Sequence, residues 1–187
     1  MSKTQIVSGG ITDGTIPTAD IADSAITSAK TTMGIKEADV WRLTTSFTGG
    51  AAPIASNWER ADDASFTKIG TGMSQSSGVF TFPSTGIYSV TFHAQIQMND
   101  SADNQTFATL QHSPDSGSTL DPVAYGLTGD GQTGPRNTVI SSSIVDITNI
   151  STHSVRFVIE SQDSGNTTVG STTENQTWVE FIRLGDT

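Results

Sequence analysis

Three histidines and one acidic cluster are the residues of this chain whose types could support catalysis or metal binding. His93, His112 and His153 stand far apart, and no H-x-H or H-E-x-x-H spacing brings two imidazoles onto one metal ion. A G-x-S-x-G elbow is also missing, so no serine has the sequence context of a nucleophile. We therefore interpret the histidines as surface or interface residues and predict neither an enzyme nor a cofactor.

The acidic cluster consists of Glu59, Asp62 and Asp63 in a turn-rich stretch. A Ca²⁺ site needs several oxygens at alternating loop positions, and this spacing does not provide them. A solvated turn is therefore a better interpretation than a cation site. Trp58 lies in the same polar stretch, and among the aromatic residues it is our candidate for contact with a ligand or partner.

The composition is that of a turn-rich β protein. Its 187 residues include 18 Gly and no Cys, with 34% hydrophobic and only 15% charged residues. A net charge of −10 argues against a nucleic-acid-binding face and against docking on an anionic membrane. The start, MSKTQIVSGG, lacks the apolar segment of a signal peptide, so we expect synthesis in a cytoplasm without cleaved secretion.

Isoleucines recur every five residues near the N-terminus, at Ile6, Ile11, Ile16, Ile21 and Ile26. This period fits neither regular element, because on a helix five residues advance the side chain by about 500° and on a strand they alternate faces. Such a short repeat cannot bury its own isoleucines and needs stacked neighbours. We therefore predict that these isoleucines make anchor or trimer contacts with other chains.

From Val40 onward the pattern changes to period two, which is typical of strands. The longest run is Ile87–Met98, where six apolar residues alternate with polar ones. Shorter strands are predicted near residues 41–47, 66–69, 78–83, 106–111, 123–127, 139–147, 155–159 and 178–184. Short strands joined by long polar loops indicate an all-β, antiparallel jelly-roll sandwich. We therefore divide the chain into two parts: an N-terminal stalk with its connector, residues 1–39, and a jelly-roll knob, residues 40–187.

The segment GVFTFPSTGIYSVTFH, residues 78–93, resembles the signature of the globular head of complement component one-q, in the tumour necrosis factor-like jelly-roll superfamily. The matching positions are Phe80, Pro83, Gly86, Tyr88 and Phe92, with Val90 where the family usually has Phe. The last strand, TWVEFIRLGD, resembles the family's closing strand but carries Glu180 in place of a Gly. The resemblance covers about residues 40–185 and implies a homotrimer.

Six aromatic residues are expected in the knob core or at a three-fold interface. They are Phe80, Tyr88, Phe92, Phe157, Trp178 and Phe181.

The pentad segment separately resembles the N-terminal regions of bacteriophage fibre and tail-associated proteins. A short stalk before a trimer-forming jelly roll implies a virion structural protein: a short fibre, spike or decoration on the particle surface, made in the host cytoplasm. Its expected partners are two copies of itself, other virion proteins through the stalk, and a glycan or protein of the host surface. The alternatives are a lectin-like or cytokine-like binding module and, less favoured, a tail-associated glycan hydrolase, which would need two facing carboxylates.

Overall fold

The longest predicted strand lies at the centre of the fold. A computed structural model describes residues 19, 21–22, 25–26, 34–63, 68–99, 105–129 and 133–187, and in it a twelve-residue strand spans Gly86–Gln97. The even-numbered side chains of this strand are buried and the odd-numbered ones are partly exposed. Successive side chains of a strand point to opposite faces, so the alternation of apolar and polar residues decides which face packs inward.

The described part of the chain forms twelve strands and no α-helix. They are β1 (Ala38–Leu43), β2 (Phe47–Thr48), β3 (Trp58–Arg60), β4 (Ser74–Ser76), β5 (Val79–Thr81), β6 (Gly86–Gln97), β7 (Thr106–Ser113), β8 (Asp121–Thr128), β9 (Arg136–Ile147), β10 (Ser154–Glu160), β11 (Thr167–Thr168) and β12 (Trp178–Gly185). No helix in the described ranges has the length and apolar character needed to cross a membrane.

Two antiparallel sheets contain these strands. The first sheet has the order β2-β11-β6-β12-β1-β3, and β9 pairs with β6 along its whole length. The second sheet has the order β4-β5-β10-β7-β8. Strands distant in sequence are neighbours in space, as in the pairing of β1 with β12, and this long-range order is typical of jelly rolls.

An aromatic cluster fills the space between the two sheets. Phe80 is at its centre, with ring centroids 5.5 Å from Trp58, 5.3 Å from Phe157 and 5.4 Å from Phe181. Phe92 continues the cluster at 5.1 Å from Phe157. Rings in such offset and edge-to-face arrangements stabilise the core beyond the area they bury.

A buried carboxylate ties the first strand to the rest of the knob. Asp39 in β1 is fully buried, and its Oδ1 and Oδ2 accept hydrogen bonds from the Arg60 guanidinium at 2.9–3.2 Å. Its Oδ2 also accepts from the Trp41 indole N–H at 3.0 Å and from the Met73 backbone N–H at 2.7 Å. The Arg60 guanidinium stacks over the Trp41 ring at 4.6 Å, so this buried charge is paired and its hydrogen bonds are made.

The chain divides into two compact units, 1–34 and 35–187. The second unit thus begins five residues before Val40, the predicted start of the knob, and β1 already includes Asp39, which we had assigned to the connector. Half of the strand predicted at 66–69, residues 66–67, lies outside the described residues; in the other half, Ile69 forms an isolated bridge with Ala38.

Of the five pentad isoleucines, Ile21 and Ile26 are described, and both are exposed within their own unit, at 40% and 52%. Ile6, Ile11 and Ile16 lie outside the described residues. The contacts predicted for the five isoleucines with other chains therefore stay a prediction.

Candidate interaction surface

The outward side of the first sheet carries an ordered set of side chains from β6 and β12, which we call the first-sheet face. It consists of Ser89, Thr91, His93, Trp178, Glu180 and Ile182. The strand register places Trp178 opposite His93 and Ile182 opposite Ser89. On the other side of β6, Ile140 of β9 pairs with His93 and Ile144 pairs with Ser89. Apolar side chains therefore flank both ends of this face.

His93 and Trp178 stack at the middle of the first-sheet face. Their ring centroids are 4.0 Å apart and the planes deviate by only 5°. Partial burial disfavours the charged imidazolium and lowers the pKa of His93 below its ordinary value of 6.5. A neutral imidazole lying flat on an indole forms a smooth, largely apolar platform, which suits packing against another protein surface.

Large apolar side chains are exposed on β8 and β9, the strands at which the two sheets meet. Ile140 and Ile144 adjoin the platform on the first sheet, whereas Tyr125 and Leu127 pair with Thr109 and Phe107 of β7 on the second sheet. We call this set the β8–β9 edge; its members are Tyr125 (66% exposed), Leu127 (56%), Ile140 (53%) and Ile144 (65%). Single exposed apolar residues are common, whereas several grouped together mark an interaction surface. Because the opposite side of β9 already fills the core with Val139, Val145 and Ile147, the edge is available to a partner.

A glycine allows the two strands of this edge to approach. A Cβ at Gly126 in β8 would lie 2.5 Å from the Ile140 carbonyl oxygen and 2.6 Å from the Val139 Cγ1 atom. Contacts this short do not occur, so any larger residue would push β8 away from β9. Gly126 therefore sets the shape of the β8–β9 edge.

The acidic cluster binds the side chain of an arginine from the same chain. The buried Arg42 guanidinium donates to Glu59 Oε1 at 2.6 Å and to Asp62, and lies 4.0 Å from Asp63. Desolvation acts to lower the pKa of Arg42, but its bonds to Glu59 and Asp62 raise it overall. The carboxylates that we interpreted as a solvated turn thus neutralise a buried arginine. The described residues contain no group of three His, Asp or Glu side chains that could hold a metal ion.

The structure places five of the six predicted aromatic residues in the core: Phe80, Tyr88, Phe92, Phe157 and Phe181 are fully buried. The Tyr88 hydroxyl donates to the Ser84 carbonyl at 3.0 Å, and burial raises the pKa of this tyrosine. Trp178 differs, since it is half-buried on the first-sheet face.

Trp58 requires a correction. We expected it to contact a ligand, but it is 7% exposed, packs between Phe80 and Phe157, and its indole N–H donates to the Ile54 carbonyl at 2.8 Å. The polar residues around it in sequence belong to a three-residue strand that pairs with β1. A buried ring with its N–H already bonded is not accessible to a ligand.

Two histidines that are distant in sequence meet in the structure. His112 Nε2 and His153 Nδ1 lie 3.2 Å apart, and His153 Nε2 lies 3.2 Å from the Thr148 hydroxyl. Burial, followed by the neighbouring His153, lowers the pKa of His112. The pair joins the end of β7 to the turn before β10, so it has a structural role.

Sequence reasoning missed the β8–β9 edge. The signal was in β9, where Val139 and Ile140 are adjacent apolar residues and Ile144 and Val145 repeat the pattern. A strand with only one buried face does not need apolar residues on both sides. Adjacent apolar pairs in an otherwise alternating strand therefore indicate a second buried face, which a partner would supply.

Comparisons with known proteins agree on the fold. No protein-family model matches the chain, and no curated protein matches its sequence. Among solved structures, Eiger TNF from S. frugiperda is similar with a TM-score of 0.62 and 10% identity, over 80% of this chain and 93% of that one. Murine APRIL at pH 5.0 is similar with a TM-score of 0.57 and 9% identity, over 79% of this chain and 98% of that one.

These likenesses confirm the predicted all-β antiparallel jelly roll, and they place its fold with that of tumour necrosis factor-like proteins. At about 10% identity the similarity concerns the fold alone. The bacteriophage resemblance of the N-terminal segment stays a prediction.

Proposed function

We propose that this chain is a trimeric structural protein of a bacteriophage particle, in which the jelly roll forms an exposed knob and the N-terminal pentads dock onto the virion. It acts by assembly and attachment rather than by catalysis. The observation that carries the proposal is the exposed apolar β8–β9 edge beside the first-sheet face, on a jelly roll of the tumour necrosis factor type.

The geometry of the knob supports a closed ring of three copies. The β8–β9 edge and the His93–Trp178 stack adjoin on one chain, because Ile140 pairs with His93. They are nevertheless different patches, so packing the edge of one copy on the stack of the next makes a head-to-tail contact. Such a contact closes into a ring when the rotation per subunit is 120°. In this arrangement Ile140 and Ile144 of one copy pack near the His93–Trp178 stack of the next.

The virion part of the proposal rests on the pentad segment. It lies in a unit separate from the knob, and Ile21 and Ile26 are exposed within that unit. Apolar residues that are not covered within a chain favour docking onto another one. A stalk that docks and a knob that assembles together describe a fibre, spike or decoration protein.

Sedimentation or light scattering of the purified chain tests the trimer. We expect a mass of three times 19.6 kDa. Ile144→Asp places a charge in the interface and should yield a folded monomer, with circular dichroism checking the fold. Ile69→Asp is the matched control, because Ile69 is exposed and bridges Ala38 of β1, which β6 and β12 separate from β9, and it should remain trimeric. A monomeric parent, or a trimeric Ile144→Asp variant, would overturn the assembly proposal.

Mass spectrometry of purified particles tests the virion role. We expect the chain to co-purify with particles in a copy number divisible by three. Recovery of the chain only as a free protein that binds cells, and never with particles, would instead favour the lectin-like or cytokine-like binding module.

A further inference from the structure

A cavity of about 300 Å³ opens on the knob, and none of its lining residues belongs to the first-sheet face or to the β8–β9 edge. Its floor is the outward side of the second sheet, where Arg156 of β10 pairs with Gln111 of β7 and with Val79 of β5. Its walls are the loop 114–120 and the turn 148–153. A pocket of this size accommodates one monosaccharide unit of a larger ligand.

Arg156 supplies the charge of the cavity. Its Nε–H donates to the Gln111 side-chain oxygen at 2.7 Å, which orients the guanidinium plane. Within the described residues, its other N–H groups have no hydrogen-bond or ion-pair partner. A planar guanidinium with free N–H groups recognises a carboxylate by a two-pronged contact. The chain has a net charge of −10 and only nine Lys and Arg residues, so each of them is a scarce anion-binding group.

The walls of the cavity are held in place before any ligand binds. The Ser116 backbone N–H donates to the Thr152 carbonyl at 2.8 Å and so joins the two walls. Asp115 accepts from the Thr119 N–H at 2.7 Å, and the hydrogen bonds from Thr119 lower the pKa of this carboxyl. The loop carboxylate is therefore occupied within its own loop, and the site is pre-organised for binding.

The remaining lining residues indicate the ligand class. Hydroxyl groups come from Thr81, Ser116, Ser151 and Thr152, and a small apolar patch comes from Val79 and Leu120. Hydroxyls match the hydroxyls of a sugar, and the apolar patch matches the C–H surface of its ring. A free phosphate would need a smaller nest of N–H donors, and a neutral sugar would leave the free N–H groups of Arg156 without an anionic acceptor.

We infer that this cavity binds a carboxylated sugar unit of a glycan, a uronic acid or a sialic acid, with its carboxylate on Arg156. The inference deepens the proposed attachment role and rests on that role for the choice of a glycan over another carboxylate. The cavity lies on the second sheet, so ligand binding and packing through the first-sheet face can occur together.

Calorimetric titration of the full chain tests the inference with three probes: sialyllactose, a glucuronic-acid disaccharide, and lactose as the neutral counterpart. We expect binding of one acidic probe and binding of lactose that is weaker by about tenfold or more, the scale of a charge-assisted contact. The acidic probe that binds identifies which of the two sugar acids is recognised. Equal affinity for lactose, or no binding of either acidic probe, would overturn the inference.

Two variants and one control locate the site. Arg156→Gln and the cavity-filling Ser151→Trp should each weaken binding of the acidic probe by about tenfold or more. Arg136→Gln, which removes an exposed arginine of β9 distant in the fold from the cavity, should bind as the parent does. An Arg156→Gln variant that keeps parental affinity would overturn the assignment.

Failure of this inference and failure of the proposed function give different results. A chain that is trimeric and present in particles, yet binds neither acidic probe, overturns the glycan site alone. A chain that is absent from particles, yet binds an acidic probe through Arg156, overturns the virion role and leaves the site in place.

Discussion

At the scale of single residues, Asp39 shows how much of the knob depends on one buried carboxylate. It accepts hydrogen bonds from Arg60, from the Trp41 indole and from the Met73 backbone, and thereby connects β1, β3 and the chain before β4. Sequence alone places it among polar residues at the end of a connector. Its role follows only from the three partners, which are brought together by pairing of distant segments.

Replacing Asp39 with Ala should destabilise the knob strongly. The change leaves the partly buried Arg60 guanidinium without its counter-ion and removes the acceptor of the Val40, Trp41 and Met73 N–H groups. We expect a loss of about 3–5 kcal/mol in the free energy of unfolding. Urea denaturation measures this difference. Asp186→Ala removes an exposed carboxylate near the C-terminus and should have a much smaller effect. Equal midpoints for the two variants would contradict the role assigned to Asp39.

His93 should make stability depend on pH. Its pKa is lowered by burial in the folded state, so the unfolded chain binds a proton more readily below about pH 6.5. The stability that the neutral ring contributes is complete above that pH and falls as the pH decreases towards the folded-state pKa. Comparing denaturation of the parent with His93→Gln at several pH values isolates this contribution, because His112 titrates in both. If the stability of the parent and that of His93→Gln changed in parallel from pH 7 to pH 5, this contribution of His93 would be contradicted.

At the scale of elements, the meeting of β8 and β9 links core packing to assembly. Gly126 permits the close approach of β8 to the backbone of Ile140 and to Val139, and so sets the distance between the exposed apolar residues of the two strands. One small residue thus determines the shape of a surface that involves both sheets.

Substituting Gly126 with Ala should separate the two strands. The new Cβ would clash with the Ile140 carbonyl oxygen, which is backbone and cannot rotate away, at a cost of about 1–3 kcal/mol. We also expect a weaker trimer, so that the variant dissociates at a higher protein concentration than the parent does. Sedimentation measures this difference. Gly185→Ala is the matched control, since no atom lies within 4 Å of a Cβ there. A trimer as stable as the parent would show that the approach of β8 to β9 is not required.

How far the sequence predicts these elements depends on how regular each one is. The long strand β6 was predicted within one residue at each end, because twelve alternating residues leave little choice of register. Trp58 was assigned wrongly because its strand has three residues, too few for a period, and its neighbours in sequence are polar. Its burial depends on pairing with β1, which no local pattern reveals.

The candidate sites were less predictable than the fold. The sugar-acid cavity joins Val79, Gln111 and the stretch from Ser151 to Arg156, which are three segments far apart in sequence. Only the sandwich brings these segments to one place, so the residues carry no common motif. The β8–β9 edge is indicated by the adjacent apolar pairs in the sequence of β9, but these pairs do not identify the partner.

At the scale of the whole molecule, the division of the chain into two units separates two tasks. The unit 35–187 contains all twelve described strands, together with the first-sheet face, the β8–β9 edge and the sugar-acid cavity. The unit 1–34 contains the pentad isoleucines, with mostly small or polar residues between them. Folding of the knob should therefore be independent of the first unit, and docking should depend on it.

Deleting residues 1–34 tests this separation. The truncated chain should keep the unfolding temperature of the parent, because no described strand is lost, and it should fail to join particles. Each isoleucine moved from water into a packed interface stabilises it by roughly 1.5–3 kcal/mol, so even partial loss of these contacts should measurably lower incorporation.

In the chain with residues 1–34 present, the double variant Ile21→Asn, Ile26→Asn should lower incorporation, whereas the control Ala22→Asn, in the same segment, should not. Particle content can be measured by quantitative mass spectrometry against a core virion protein. Normal incorporation of the truncated chain would place the docking contacts on the knob itself.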